Sequence, residues 1–380
     1  MKKKNNLNGI NKISKTILKI LNKKRKNNYN QRFFSFLNLK KPINGILNRN
    51  KSISIYNNRV INFNKNNCFS KKINYNSDLN QIEQSCENYL NNSNIINNIS
   101  NNNNNNNKIK KFKIGKFLNE NNLIDSIPSG TTHLYFSTYF NEPITPHQIP
   151  DSVIYIDFIN ECQFNQPLEP GCFGPNVKTI KFGDYFNQPL LPNVLQYGLE
   201  ELDLGTTFNQ PLHKGSIPNS VVSLTMGECY NHQIKPSDIP SSVISLYLSN
   251  SYNHPLLPGS IPDGCEFLVF GDDYNHLITQ NIIPLSVKKI FLGINYNQPL
   301  LDQSFPQDGS IEKIVFNRSF NQIIKPGQIP LSVKKLYFGI NFEKPLELYS
   351  IPTTTQKIYF SSNYSHPLYL SPNQIVSKLE

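Results

Sequence analysis

An aromatic residue followed by asparagine recurs along this chain at a nearly fixed interval, and that interval limits what the chain can fold into. The pairs are Phe140-Asn141, Phe164-Asn165, Phe186-Asn187, Phe208-Asn209, Tyr230-Asn231, Tyr252-Asn253, Tyr274-Asn275, Tyr296-Asn297 and Phe320-Asn321. The steps between them are 24 residues, then 22 six times, then 24, and Phe342 and Tyr364 continue the step of 22 without the asparagine. A period of this length marks an array in which each unit is one small supersecondary element stacked on its neighbours.

Other positions keep the same register. An apolar residue stands four before each aromatic (six before Phe164), another stands two before that, and a third stands three earlier, as in Val333, Leu336 and Phe338. Leu or Ile follows four residues after the aromatic, from Leu168 to Leu368. Nine after it comes an apolar residue, often in Ile-Pro, as at Ile217-Pro218, Ile239-Pro240, Ile261-Pro262 and Ile329-Pro330. The two longer steps carry their extra residues after Phe158 and after Pro306, where a loop tolerates a bulge. Extended backward, the register finds a degenerate first copy at Ile109, Phe112 and Ile114, which makes twelve strands within 108–377.

The segment V-x-x-L-x-F alternates over its last positions, the period of a short strand with one buried face. Glycine often follows it (Gly183, Gly205, Gly227, Gly271, Gly293, Gly339), releasing the chain into a turn. The proline of N-Q-P-L excludes a helix interior. A single coil offers about six large apolar side chains at roughly 1.5–3 kcal/mol each, too little to offset the ordering of its backbone. Stacked coils share one core, and their strands then pair in parallel about 4.8 Å apart. The expected fold is a β-rich solenoid of stacked 22-residue coils with a parallel sheet on one face, over 108–377.

The recurring F-N-Q-P-L-x-P-G-x-I-P-x-S-V-x-x-L-x-F resembles the FNIP repeat family of social amoebae, which is similar in turn to leucine-rich repeats. The resemblance covers residues 108 to about 377, and both dipeptides recur in phase throughout. It departs from a standard leucine-rich repeat by two residues in where the asparagine falls, and the far side of the coil shows no helical period. The resemblance implies a solenoid used for protein interaction, without catalysis or cofactor. Some relatives carry an F-box or a kinase domain ahead of the repeats, but no G-x-G-x-x-G, H-R-D or D-F-G occurs here.

Charge divides the chain in the same place. Residues 1–120 hold 24 of the 38 Lys and Arg and 4 of the 26 Asp and Glu, so the net +12 belongs to the N-terminal third and the remainder is mildly acidic. Residues 1–107 are rich in Asn and Lys, end in seven asparagines (Asn101 to Asn107), and show too little apolar periodicity to order themselves; they are expected to be mostly disordered. Within them Ile10, Ile13, Ile17 and Leu21 share one helical face and Lys12, Lys15, Lys19 and Lys23 another, with no acidic residue before Asp78. That pattern offers a mitochondrial transit signal as an alternative to a cytoplasmic location. Six irregularly spaced cysteines without a C-x-x-C pair suit a reduced compartment, and no apolar run is long enough for a spanning helix.

The sharpest functional pattern lies on strand positions that face away from the core. The residue before the buried leucine reads Glu201, Ser223, Ser245, Phe267, Lys289, Lys313, Lys335, Lys357. The residue after it reads Asp203, Thr225, Tyr247, Val269, Phe291, Val315, Tyr337, Tyr359. Lys289, Lys313, Lys335 and Lys357, with Phe291, Tyr337 and Tyr359, are the candidate surface for a protein partner of acidic character. A polyanion or single-stranded nucleic acid is one alternative, and a structural repeat with no dedicated ligand is another. Asn165, Asn187, Asn209, Asn231, Asn253, Asn275, Asn297 and Asn321 are expected to form a buried ladder bonding neighbouring coils. His232, His254 and His276 share one register position, but Gln166, Gln188, Gln210, Gln298 and Gln322 fill it elsewhere, so no metal is expected there.

Overall fold

The computed structural model describes residues 53–56, 59–62, 111–114 and 127–379. The basic amphipathic stretch from Ile10 and the asparagine tract lie outside the described residues. Within the segment expected to be disordered, strands β1 (Ile53–Tyr56) and β2 (Arg59–Asn62) pair antiparallel, Ile53 opposite Asn62 and Tyr56 opposite Arg59. Composition hid this hairpin because its β-branched Ile53, Ile55, Val60 and Ile61 are diluted by the surrounding Asn and Lys.

The remaining strands form one sheet in chain order: β3 (Lys111–Ile114), β4 (His133–Phe136), β5 (Tyr155–Phe158), β6 (Thr179–Lys181), β7 (Glu201–Asp203), β8 (Ser223–Thr225), β9 (Ser245–Tyr247), β10 (Phe267–Val269), β11 (Lys289–Phe291), β12 (Lys313–Val315), β13 (Lys335–Tyr337), β14 (Lys357–Ser361) and β15 (Ile375–Leu379). Every neighbouring pair is parallel and register-matched, so equivalent repeat positions become columns, as in Ile290 beside Ile314 beside Leu336 beside Ile358. Leucine and isoleucine at these centres are fully buried. There is no helix among the described residues, as the missing helical period implied.

Why the interval is so strict follows from the core. Rings from successive coils stack in a column: Phe186 on Phe208 at 6.1 Å, Phe208 on Tyr230 at 6.2 Å, Tyr274 on Tyr296 at 6.3 Å and Phe320 on Phe342 at 6.1 Å, all within 9° of parallel. A residue gained or lost anywhere but in a loop would move a ring out of that column and a strand out of register. After each strand the backbones of adjacent coils come together: a Cβ on Gly271 would overlap the Ser249 carbonyl oxygen, and one on Gly293 the Gly271 carbonyl oxygen. Glycine is therefore set here by close approach.

The sheet holds one strand more than the twelve expected. Lys357 pairs with Ile375, a step of 18 rather than 22 residues. The last coil omits the Ile-Pro side and returns early, closed by Gln374, whose amide donates to the Pro352 carbonyl at 2.9 Å and accepts from the Ser371 N–H at 2.8 Å. A search at a fixed step passes over such a shortened copy.

Candidate functional site

Alternation along each strand sends its first and third residues to the outer face of the sheet, and in-register pairing turns them into two columns. Lys289, Lys313, Lys335 and Lys357 are direct neighbours across β11–β14, at the ~4.8 Å spacing of paired strands. Beside them run Phe291, Val315, Tyr337 and Tyr359.

The four lysines are not equivalent. Lys289, Lys335 and Lys357 are exposed, and Lys313 is half-buried. The Lys313 ammonium lies 4.7 Å from the centre of the Phe291 ring and 4.5 Å from that of Tyr337. Burial, and then the neighbouring Lys335 and Lys289 ammoniums, lower its pKa to about 8. The aromatics differ as well. Tyr337 and Tyr359 stack at 4.1 Å and 4°, and burial together with the Tyr359 hydroxyl pushes the Tyr337 phenol up to about 12. Phe291, expected as a contact residue, is only 4% exposed. It packs against Phe267 at 5.1 Å on one side and is covered by the Lys313 ammonium on the other. Phe291 therefore builds the floor of the face rather than its contact surface.

One residue earlier in each coil, charge follows another rule. From β10 to β14 that column reads Glu266, Lys288, Glu312, Lys334, Gln356, and Lys288 pairs with Glu266 at 2.8 Å. Further toward the N-terminus Lys178 pairs with Glu200 at 3.0 Å, and Lys181 on the outer face pairs with Glu201 at 2.9 Å. The acidic part of the face is thus partly neutralised from within.

The asparagines form a ladder between coils. Each Oδ1 accepts the backbone N–H of the equivalent asparagine one coil on: Asn187 to Asn165 at 2.9 Å, Asn209 to Asn187 at 2.8 Å, Asn231 to Asn209 at 2.9 Å, Asn253 to Asn231 at 3.0 Å, Asn275 to Asn253 at 3.3 Å, Asn297 to Asn275 and Asn321 to Asn297 at 2.9 Å. It is half-buried to exposed rather than buried. The next residue reinforces it: Gln188 donates to the Asn165 carbonyl at 3.1 Å, and His232, His254 and His276 engage the carbonyls of Asn209, Asn231 and Asn253 through Nε2 at 2.9–3.0 Å. Glutamine and histidine interchange because each brings one N–H to the same carbonyl. Among the described residues no three His, Cys, Asp or Glu side chains gather as a metal site.

Sequence reasoning missed a second ladder. The hydroxyls of Ser216, Ser260, Ser304 and Ser350 donate to the carbonyls of Leu190, Ile234, Ile278 and Ile324 at 2.5–2.7 Å, all buried. Its signal was a serine two residues before a proline, hidden because Asp238, Ile282 and Gln328 interrupt it. The buried cysteines are poor nucleophiles: burial pushes the thiols of Cys162 and Cys172 up to about 11 and that of Cys265 to about 12, which leaves little thiolate.

No helix among the described residues is long and apolar enough to cross a membrane. No curated protein matches the chain. Among solved structures it is similar to the crystal structure of CroV588, a novel circular LRR protein, at TM-score 0.59 and 28% identity, over 63% of this chain and 34% of that one. The chain thus spans about a third of that protein's length. The FNIP Repeat family matches at 119–161, 164–207, 197–229, 208–251, 230–273, 252–295, 296–341 and 320–363. Those eight overlapping matches carry the same register as the rings, ladders and strands described above, and the chain belongs to the FNIP repeat family.

Proposed function

We propose that this chain is a non-catalytic scaffold that binds an acidic protein partner through the outer sheet face of β11–β14. One observation carries the reading. Four consecutive coils place lysine at the same outer position, whereas the residue before it in those coils varies as Lys288, Glu312, Lys334 and Gln356. Like charges directly opposite on paired strands are destabilising. The fold does not require them, because Ser223 and Ser245 occupy that position in β8 and β9. Carboxylates from a partner would offset the repulsion, and half-buried Tyr337 and Tyr359 beside the lysines would supply contact area.

Single-stranded nucleic acid needs open aromatic faces on which bases stack. Here Tyr337 and Tyr359 stack on each other, and Lys313 covers another face of Tyr337. This favours a protein over a nucleic acid. We place the protein in the cytoplasm, where buried thiols such as Cys162, Cys172 and Cys265 remain reduced.

The test replaces Lys289, Lys313, Lys335 and Lys357 together by Ser, with circular dichroism to verify the fold. Affinity capture with both proteins at two salt concentrations should show the variant losing its partner and the residual binding losing salt sensitivity. The same partners with the same salt sensitivity would show the lysine column to be only a solvated face.

A further inference from the structure

Resting on that reading, the spacing of the two outer columns narrows the partner. We infer that β11–β14 dock an acidic amphipathic helix lying along the stacking direction, across the strands. In-register pairing fixes the lysine column, which at ~4.8 Å per strand runs about 14 Å from Lys289 to Lys357. One face of a helix repeats at i, i+4, i+7 and i+11, so four side chains span about 16.5 Å at 1.5 Å per residue. An extended chain laid the same way shows one side every ~6.6 Å and needs about 20 Å for four side chains. It is out of step by the third lysine, whereas the flexible lysine stems absorb the helix's mismatch of roughly 2 Å.

The inequality among the lysines sharpens the match. Lys313 is held between the Phe291 and Tyr337 rings, so the charges free to reach a partner are Lys289, Lys335 and Lys357. These sit at about 0, 10 and 14 Å along the column. Carboxylates at i, i+7 and i+11 of a helix fall at about 0, 10.5 and 16.5 Å. The residue at i+4 then lies over the Lys313 stem, where a small or apolar side chain fits better than a fourth acid. The second column stands two residues along each strand, about 6.6 Å to the side. Half-buried Tyr337 and Tyr359 meet an apolar row beside the acidic one, which is the pattern of an amphipathic helix. With their faces stacked together, these rings offer their positive edges, which also favour a carboxylate neighbour.

The experiment uses the full chain and three labelled synthetic peptides, read by fluorescence anisotropy at two salt concentrations. One is a helix-forming peptide with Glu at i, i+7 and i+11 and Leu in the adjoining row. The second permutes the same residues so that charge encircles the helix. The third keeps the first order with a central proline that breaks the helix. The patterned helix should bind about tenfold more tightly than the other two, the size expected if three exposed ion pairs each add a modest amount. K289S, K335S and K357S combined should erase that preference with an unchanged circular dichroism spectrum. Tyr359→Thr, which puts there the residue type of Thr225 in β8, should weaken the patterned helix independently of any charge change. Equal, lysine-dependent affinity for all three peptides would overturn the helix and leave the acidic-partner reading standing. No lysine-dependent binding of any peptide would overturn both. Tighter lysine-dependent binding of a single-stranded oligonucleotide than of the patterned peptide would overturn the assignment to a protein.

Discussion

Leu336 and Lys335 are neighbours in β13, and replacing each by Asp tests the register on which every functional statement rests. Leu336 is 0% exposed and lies between Ile314 and Ile358 in the sheet, while Lys335 is exposed. Leu336→Asp forfeits the burial of a leucine, about 1.5–3 kcal/mol, and opens a cavity of the kind that raises large-to-small losses to about 2–5 kcal/mol. It also puts a carboxylate where nothing pairs with it, which adds roughly 1–3 kcal/mol even after the group protonates. The total, about 3–8 kcal/mol, approaches the whole stability of an ordinary domain. Because each coil contacts only its neighbours, the loss should uncouple β13 from both sides rather than soften the array uniformly. Lys335→Asp should stay within about 0.5 kcal/mol, and it removes one member of a like-charge row. Urea unfolding followed by circular dichroism measures both. Leu336→Asp should be partly unfolded without denaturant, or show a second, earlier transition, and should regain stability toward pH 4 as the carboxyl is neutralised. Comparable losses for the two variants would mean that the strand is displaced by one residue and that the lysine column faces the core.

Two further predictions probe the turns after the strands. Gly271→Ala should cost about 2 kcal/mol or more, because its Cβ would overlap the Ser249 carbonyl oxygen and the backbone of the adjacent coil must give way; a melting temperature within a degree of wild type would refute the close approach. Asp272 is pushed up from 3.8 to about 6, chiefly by burial and then by the Asp273 and Glu228 carboxylates, against a lowering backbone hydrogen bond from Ile294. The folded chain therefore holds that proton more tightly than the unfolded one, so this group makes stability rise as pH falls from about 6 to about 4. Asp272→Asn, which puts there the residue type of Asn250 one coil earlier, should stabilise the protein by about 1–2 kcal/mol at pH 7 and by nothing near pH 4; a gain independent of pH would exclude the carboxylate as its source.

Most of the fold was legible because a solenoid repeats its constraints. Phe186, Phe208 and Tyr230 each report the same ring column, so an accidental match at one is corrected by the others. What stayed hidden is what occurs once. The shortened coil before β15 leaves no 22-residue signal, although Gln374 closes it with the same pair of bonds that Gln328 makes to the Lys325 N–H and the Leu300 carbonyl. On the outer face the register told which side chains share a surface but not how they cover one another. Phe291 disappears under Lys313 and Phe267 because long stems and rings on the same face pack sideways, along the columns. The asparagine ladder was legible as a position, while its exposure depended on how far the coil folds inward at that corner.

The same geometry determines where function can reside in such a chain. In-register parallel stacking converts each repeat position into a line of side chains ~4.8 Å apart, so a residue type that is trivial once becomes a surface property when four coils share it. Positions facing the core have almost no freedom: Leu202, Leu224, Leu246, Leu268, Ile290, Ile314, Leu336 and Ile358 are all fully buried aliphatics. The outer first position ranges from Glu201 through Ser223 and Phe267 to Lys289 within a few coils, with the backbone unchanged beneath it. Lys313 is held by the Phe291 and Tyr337 rings, but no such contact among the described residues holds the exposed Lys289, Lys335 and Lys357, and mutual repulsion selects against a row of them. Under the function proposed above, a bound row of carboxylates would offset that repulsion, and the four-Ser variant tests it.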